Sequence, residues 1–369
     1  MKVLKRKICI ISAYAYIDQH LNYGSMFQYF ALQKQLESMG YEPYWLRYTL
    51  PSDNRDNKFK LLIKKCLFYK TNKRTSSALK KMHDFVEKNC SLSNNIYSDF
   101  DELKNNCPEA DIYLTGSDQV WGGELKANYL LFVPFSAPKI AYAASFGKAE
   151  ISPEKANIIK PWLERFDFIS VREKSAVDIC KQMGIKAELV LDPTLFLNMN
   201  DYPAESLEKK HLANYIFGYF LNIKDKNSLP IDNIEKSFQI NNQKLICAGG
   251  VSALERFYPK VKVGYYSPQE WLGMYRDADG IVTNTFHGVV FSIIFKKQFV
   301  VFLQKGHSEK QNERIMSVLK LFDLIDRIYD EECNLFEKMN QPINWENIEK
   351  KYYTEKARSL TYLKRAIEN

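Results

Sequence analysis

Eleven short apolar runs, each closing on small or polar residues and mostly separated by helical stretches, constrain this chain more than any other feature. The first series is "KICIISAYA", "YEPYWLRY", "ADIYLTGS", "KIAYAASFG", "FDFISVRE" and "AELVLDP". The second, from Tyr215 onward, is "NYIFGYFL", "QKLICAGG", "VKVGYY", "DGIVTNTF" and "QFVVFLQ". Runs of this length, apolar on both faces, suit parallel strands covered by helices on either side. Their alternation with helical patterns such as "SMFQYFALQKQLESMG" and "SPQEWLGMYRDA" predicts an α/β protein. Gly40 is a helix stop, and Ser267-Pro268 a helix start with proline at its first position.

A chain of 369 residues exceeds what one core usually serves. We therefore expect two doubly wound, Rossmann-like domains facing a cleft. Residues 1–197 form the first, with a basic insertion at 55–81. The polar stretch 198–212 is a linker, 213–340 form the second domain, and 341–369 are terminal helices. The basic start followed by an apolar run reads as a buried first strand rather than a leader, because no small-residue cleavage site follows. No apolar run reaches membrane-spanning length. Seven scattered cysteines without a CxxC pair argue against a disulfide framework or zinc cluster and for a reducing, cytoplasmic setting. The net charge of +8 is densest at 55–81, where lysines alternate with apolar residues. That segment suits contact with an anionic membrane face; the plainer reading is a surface helix with a solvated basic side. No nucleic-acid-binding module accompanies the charge.

In doubly wound sheets ligands bind beyond the carboxyl ends of the strands, and four polar clusters fall there. Asn22-Tyr23-Gly24-Ser25 opens the first helix, where backbone N–H groups can hold an anion. "GSDQVWGG" places Asp118 between Ser117 and Gln119, with Trp121 beside two glycines as a platform for a sugar ring; a turn-capping aspartate is the bland alternative. Arg172, in "SVRE", suits a carboxylate or phosphate, or else a salt bridge to Glu173 or a neighbouring carboxylate; "LDPT" closes the next strand. In "TNTFHGVVF", His287 stands where a strand hands over to a helix, with Gly288 removing bulk beside it. A histidine there donates to a bound anion or moves a proton; a buried histidine bonded to a backbone carbonyl is the alternative.

With "NYGSMFQYFALQKQLESMG", "DIYLTGSDQVW", "IAYAASFG", "SVREKSAVDIC", "LVLDPTLFL" and "TNTFHGVVFSIIFKKQFVVF" in this order, the chain resembles the polysaccharide pyruvyl transferase family. The resemblance implies a glycosyltransferase-B-like fold whose terminal helices cross back to the first domain. It also implies transfer of the enolpyruvyl group of phosphoenolpyruvate onto two hydroxyls of a sugar, giving a cyclic pyruvate ketal. Neither cofactor nor metal is implied; phosphoenolpyruvate is a co-substrate, and the acceptor is a sugar or lipid-linked oligosaccharide. By this analogy His287 and Asp118 are catalytic, as acid and base in either order. Arg172, Thr285, Phe286, Gly288 and Arg314 line the donor side, and Asn22, Tyr23, Ser117, Gln119 and Trp121 the acceptor side. Many relatives carry an arginine two residues before the histidine. Here that position is Thr285, so Arg172, Arg314 or an insertion lysine must supply the counter-charge. Two other readings stay open: a glycosyltransferase using a nucleotide sugar, with Glu309 and Glu313 as weak candidates for its acidic contact, and a non-catalytic glycan-binding protein.

Overall fold

The computed structural model describes residues 5–12, 21–49, 69–205, 214–249 and 254–369. Two wholly parallel sheets organise it. The first contains β1 (Lys7–Ile11), β2 (Glu42–Tyr48), β3 (Leu92–Tyr97), β4 (Ile112–Thr115), β5 (Lys139–Ala144), β6 (Phe168–Val171) and β7 (Glu188–Leu189), in the order β3-β2-β1-β4-β5-β6-β7. The second contains β8 (Tyr215–Tyr219), β9 (Lys244–Ala248), β10 (Lys262–Gly264), β11 (Gly280–Thr283) and β12 (Phe299–Val301), in the order β10-β9-β8-β11-β12. Each order reverses once, between β1 and β4 and between β8 and β11. These are the switch points where a crevice opens. Strands β4, β5, β8 and β11 are buried along their whole length, as central parallel strands must be.

Among the described residues, the helices longer than two turns are α1 (Tyr23–Ser38), α2 (Tyr69–Asn89), α3 (Pro153–Leu163), α4 (Lys174–Gln182), α5 (Ile231–Gln239), α6 (Pro268–Asp277), α7 (Phe286–Ile294), α8 (Asn312–Leu321) and α9 (Trp345–Glu368). Gly40 follows α1 with φ +92°, the left-handed conformation that glycine adopts without strain. Ser267 caps α6, its Oγ accepting from the Glu270 N–H at 3.1 Å.

All eleven predicted strands are present, and β3 is an addition. The linker is less open than its polarity suggests: Tyr202 is buried against Phe27 and Phe291, while residues 206–212 lie outside the described residues. Most of the basic insertion, up to residue 68, also lies outside them. Its remainder, residues 69–81, belongs to α2, which buries Ala78, Met82, Phe85 and Val86. Lys81 of this helix meets Glu270 at 2.9 Å and Arg74 approaches Glu255 at 3.6 Å, both in the second domain. So this end of the basic segment docks across the molecule.

The two domains share one core. Tyr23 of α1 stacks on Trp271 of α6, with ring centroids 5.0 Å apart and planes inclined by 12°. Its hydroxyl donates to the Tyr266 carbonyl at 2.9 Å. Phe27, one turn later, meets Phe291 of α7 edge-on at 5.5 Å. Helix α9 returns to the first domain: the Ser359 hydroxyl accepts from the Leu191 N–H and Arg6 donates to the Ile367 carbonyl, both at 2.9 Å. No helix among the described residues is long and apolar enough to cross a membrane.

Candidate active site

The strand ends at the two switch points face each other, so residues far apart in sequence meet between them. From the first sheet come Asp118 after β4, Arg172 and Glu173 after β6, and Asp192 after β7. From the second come His287, in the first turn of α7 after β11, and Arg314 of α8. Asp118 has φ +72°, costly for a residue with a side chain. The turn is held by two N–H groups donating to its carbonyl, Ser145 at 3.0 Å and Val120 at 2.7 Å. It aims the carboxylate into the crevice.

Arg172 is the hub. Its Nη2 donates to Asp118 at 2.9 Å, its Nε to Glu173 at 3.0 Å and its Nη1 to Asp192 at 2.7 Å, while the side chain is 1% exposed. The Phe286 ring lies 4.3 Å from its guanidinium carbon, a cation–π contact on its remaining face. Both salt-bridge alternatives in the sequence reading, Glu173 and a neighbouring carboxylate, therefore hold at once. Burial alone lifts the Asp118 carboxyl, but Arg172, His287 and Arg314 outweigh it and hold it well below the usual range. For Asp192 likewise, burial is overcome by His287 and Arg172. For Glu173 burial wins over Arg172, and its carboxyl is raised. Arg314 approaches Asp118 at 3.7 Å, and burial together with Arg172 pulls it down to about 10. With its amide oxygen turned toward it, Gln119 accepts from Arg314 Nη2 at 2.8 Å.

His287 is buried, 6% exposed, and its Nε2 has no hydrogen-bond partner. Asp192 Oδ2 is 3.8 Å away, a charge contact rather than a hydrogen bond. Burial holds the imidazole down to about 4 against the pull of Asp192 and Asp118, so it is neutral at pH 7. Its other side rests on α1, where only a glycine fits. A Cβ at Gly24 would overlap the imidazole Nδ1 and Cγ and come within 2.6 Å of the His287 Cβ. Gly24→Ala is expected to push the imidazole out of register. The cost should be about 1–3 kcal/mol of stability, with activity down on the order of 100-fold. Thermal unfolding and steady-state turnover would read both; an alanine variant with native turnover would show that the ring has room to spare.

Several sequence expectations need correction. Gly288 does not open space for a ligand: a Cβ there would overlap Thr283 Oγ1 and come within 2.6 Å of Thr285 Oγ1. Thr285 is the N-cap of α7, its hydroxyl accepting from the Gly288 N–H at 2.8 Å and lying 3.1 Å from Thr283 Oγ1. On the acceptor side, Trp121 is wholly buried and stacks on Tyr129 at 5.9 Å, so it offers no sugar platform. Tyr23 belongs to the shared core. Ser117 is buried and donates to Asp192 Oδ2 at 2.9 Å. Asn22 caps α1, accepting from the Ser25 N–H at 3.2 Å. Asp118 is poorly suited to be a base, since Arg172 holds its Oδ1 and the Ser25 hydroxyl donates to its Oδ2.

Asp192, Glu173 and Ser25 fall within clusters legible in sequence, but no individual role for them follows from it. The signal for Asp192 was present in "LDPT": a carboxylate just beyond a strand end, as with Asp118. On the far side of Arg172, Asp192 and Phe286 lies a cavity of about 330 Å³, walled also by Lys174, Lys320 and Arg358; His287, Asp118 and Arg314 do not line it. That suits a small substrate or one sugar ring. Among the described residues no cluster of His, Cys, Asp and Glu is grouped to hold a metal ion; the carboxylates converge on a guanidinium instead.

A family model for polysaccharide pyruvyl transferase matches residues 22–305. The chain belongs to the polysaccharide pyruvyl transferase family. The match takes in Asp118, Arg172, Glu173, Asp192 and His287, while Arg314 and the cavity residue Arg358 lie beyond it. No curated protein matches the sequence. Among solved structures, Arabidopsis thaliana UGT89C1 complexed with UDP is similar at TM-score 0.54 and 10% identity, over 99% of each chain. Anabaena Alr3699/HepE in complex with UDP-glucose is similar at 0.52 and 9%, over 98% of each. UDP-N-acetylglucosamine 2-epimerase from Rickettsia bellii is similar at 0.50 and 10%, over 98% of this chain and 99% of that one. At such identities the likeness is one of fold: this pyruvyl transferase family member has the glycosyltransferase-B architecture.

Proposed function

We propose that this protein is a ketal pyruvyl transferase. It moves the enolpyruvyl group of phosphoenolpyruvate onto two hydroxyls of one sugar in a surface polysaccharide or its lipid-linked precursor. The observation that carries this reading is the buried imidazole of His287, its Nε2 unpartnered, in a crevice with two arginines. The reaction needs a proton at the methylene carbon and stabilisation of the cationic centre that forms at C2. One hydroxyl then adds at C2, the C2–O bond to phosphate breaks, and the second hydroxyl closes the ring. Two C–O bonds form and one breaks; of the two hydroxyl protons, one is balanced on the new methyl and one on the departing phosphate.

In this reading His287 delivers the methylene proton, and the Asp118 and Asp192 carboxylates sit where a developing positive charge gains most. Arg172 and Arg314 face the donor's anionic groups, taking the place of the arginine that many relatives carry where Thr285 stands here. Asp118 becomes a counter-charge that aims both arginines rather than the base toward the acceptor.

Calorimetric titration tests the donor. Phosphoenolpyruvate is expected to bind saturably, and UDP-glucose, run beside it, is not. Binding of the nucleotide sugar alone would transfer the protein to the glycosyltransferase reading.

A further inference from the structure

Among the described residues, the charges directly around His287 nearly cancel before any ligand arrives, and that balance has a chemical consequence. The charged groups that act on His287 among the described residues are Asp118 after β4, Arg172 after β6, Asp192 after β7 and Arg314 from α8, with Glu173 held by Arg172 behind them. Tyr219, at the end of β8, adds a phenol, and α1 contributes only Gly24, Ser25 and the buried phenol of Tyr23. Two guanidinium groups among the described residues therefore stand against the carboxylates of Asp118 and Asp192 and the carboxyl of Glu173, which burial raises. Arg172 is already largely neutralised, since Nε, Nη1 and Nη2 each hold a different carboxylate and only the second N–H of Nη1 and of Nη2 is left for a ligand. Adding a phosphate and a carboxylate to such a largely buried cluster is unfavourable unless a compensating positive charge arrives with them.

One group is placed to become that cation. His287 Nε2 is buried, has no partner, and lies 3.8 Å from Asp192 Oδ2. That carboxylate is itself immobile: its Oδ2 accepts from Arg172 and Ser117, and its Oδ1 from the Thr194 N–H at 3.0 Å and hydroxyl at 2.6 Å. We propose that binding of the anionic donor draws one proton from solvent onto His287 Nε2, with Asp192 as the fixed positioning residue that holds the resulting imidazolium in place. The resting site is then uncharged at the imidazole, and the acid is loaded only when there is a substrate to protonate. Asp192 acts through His287 and does not touch the reacting atoms. The inference rests on phosphoenolpyruvate being the donor.

The test is titration of the intact protein with phosphoenolpyruvate at about pH 8, where a phosphate monoester is already doubly ionised. It is repeated in buffers of different ionisation enthalpy. The slope of observed heat against buffer enthalpy counts the protons taken up. The expected slope is a measurable fraction of a proton per donor for the wild type, growing as the pH is lowered from about 8 to about 7, and near zero for His287→Gln. Asp192→Asn should also lower the uptake and flatten the pH dependence of affinity. Because that variant removes a partner of Arg172, its circular dichroism is compared with the wild type, and His287→Gln carries the decision should it misfold. Binding without buffer dependence would overturn the inference and leave the donor reading intact. Uptake persisting in His287→Gln would assign the proton elsewhere, Glu173 first, and also overturn it. Absence of phosphoenolpyruvate binding would overturn the donor reading, and this inference with it.

Discussion

His287→Gln should lower pyruvyl transfer by about 10²–10⁴-fold in kcat, the range that a positioned general acid contributes. Glutamine retains a polar side chain of similar length but holds no transferable proton near neutral pH. The fold should tolerate it. The imidazole Nε2 makes no hydrogen bond that would be lost, and the ring is held by contact with Gly24 and by an edge-on Phe286 at 5.1 Å. Phosphate release from phosphoenolpyruvate, measured against a panel of hexosides, is the readout. A glutamine enzyme turning over within a few-fold of wild type would remove the acid role from this residue. Where the donor affinity of the variant also falls, the imidazole serves binding as well as proton transfer.

Arg172→Met is expected to cost about 3–5 kcal/mol of folding stability, because it strands buried charges rather than merely removing a bond. Asp118, Glu173 and Asp192 would face one another with Arg314 as the remaining guanidinium among the described residues, and Phe286 would lose its cationic neighbour. The pH dependence supplies a second signature. Without the guanidinium, the buried carboxyls titrate above their unfolded values. The native state then binds more protons than the unfolded chain, and the deficit is largest above that range. It shrinks as pH falls and the carboxyls protonate. Arg172→Lys should rescue little, since one ammonium cannot reach three carboxylates in a planar fork. Urea unfolding at two pH values would decide; a methionine variant within about 1 kcal/mol of wild type at neutral pH would show that the cluster relaxes or admits water.

Sequence carries the architecture further than it carries the site. Strands buried on both faces announce themselves as apolar runs, and the strand-end rule selects Asp118, Arg172 and His287 from three different strands. The edge strand β3 escapes such a reading because it is half polar: Asn94 and Asn95 stand in its middle, and it pairs only with β2. What a linear reading lacks is direction. Trp121 beside two glycines looks like an exposed platform, yet the left-handed turn at Asp118 carries it into the core. Gly288 looks like room for a ligand, whereas two threonine hydroxyls occupy that room. The role of Gly24 depends on an imidazole more than two hundred residues away, which no local pattern encodes. Arg172 is legible as an anion binder; that three carboxylates already hold it is not.

The ring stack joining Tyr23, Phe27, Trp271 and Phe291 bears on how such a chain can be divided. Two sheets of separate topology suggest two exchangeable modules, but these rings are interior to both halves at once. Cut at the linker, either half would present a broad aromatic face to water and would tend to self-associate rather than stand alone. Synthesis therefore leaves the amino-terminal half incomplete until α6 and α7 have emerged to cover it. Inheritance faces the same restriction: recombination with a relative must carry matching rings on both sides of the junction, so the pair of domains is passed on as one unit.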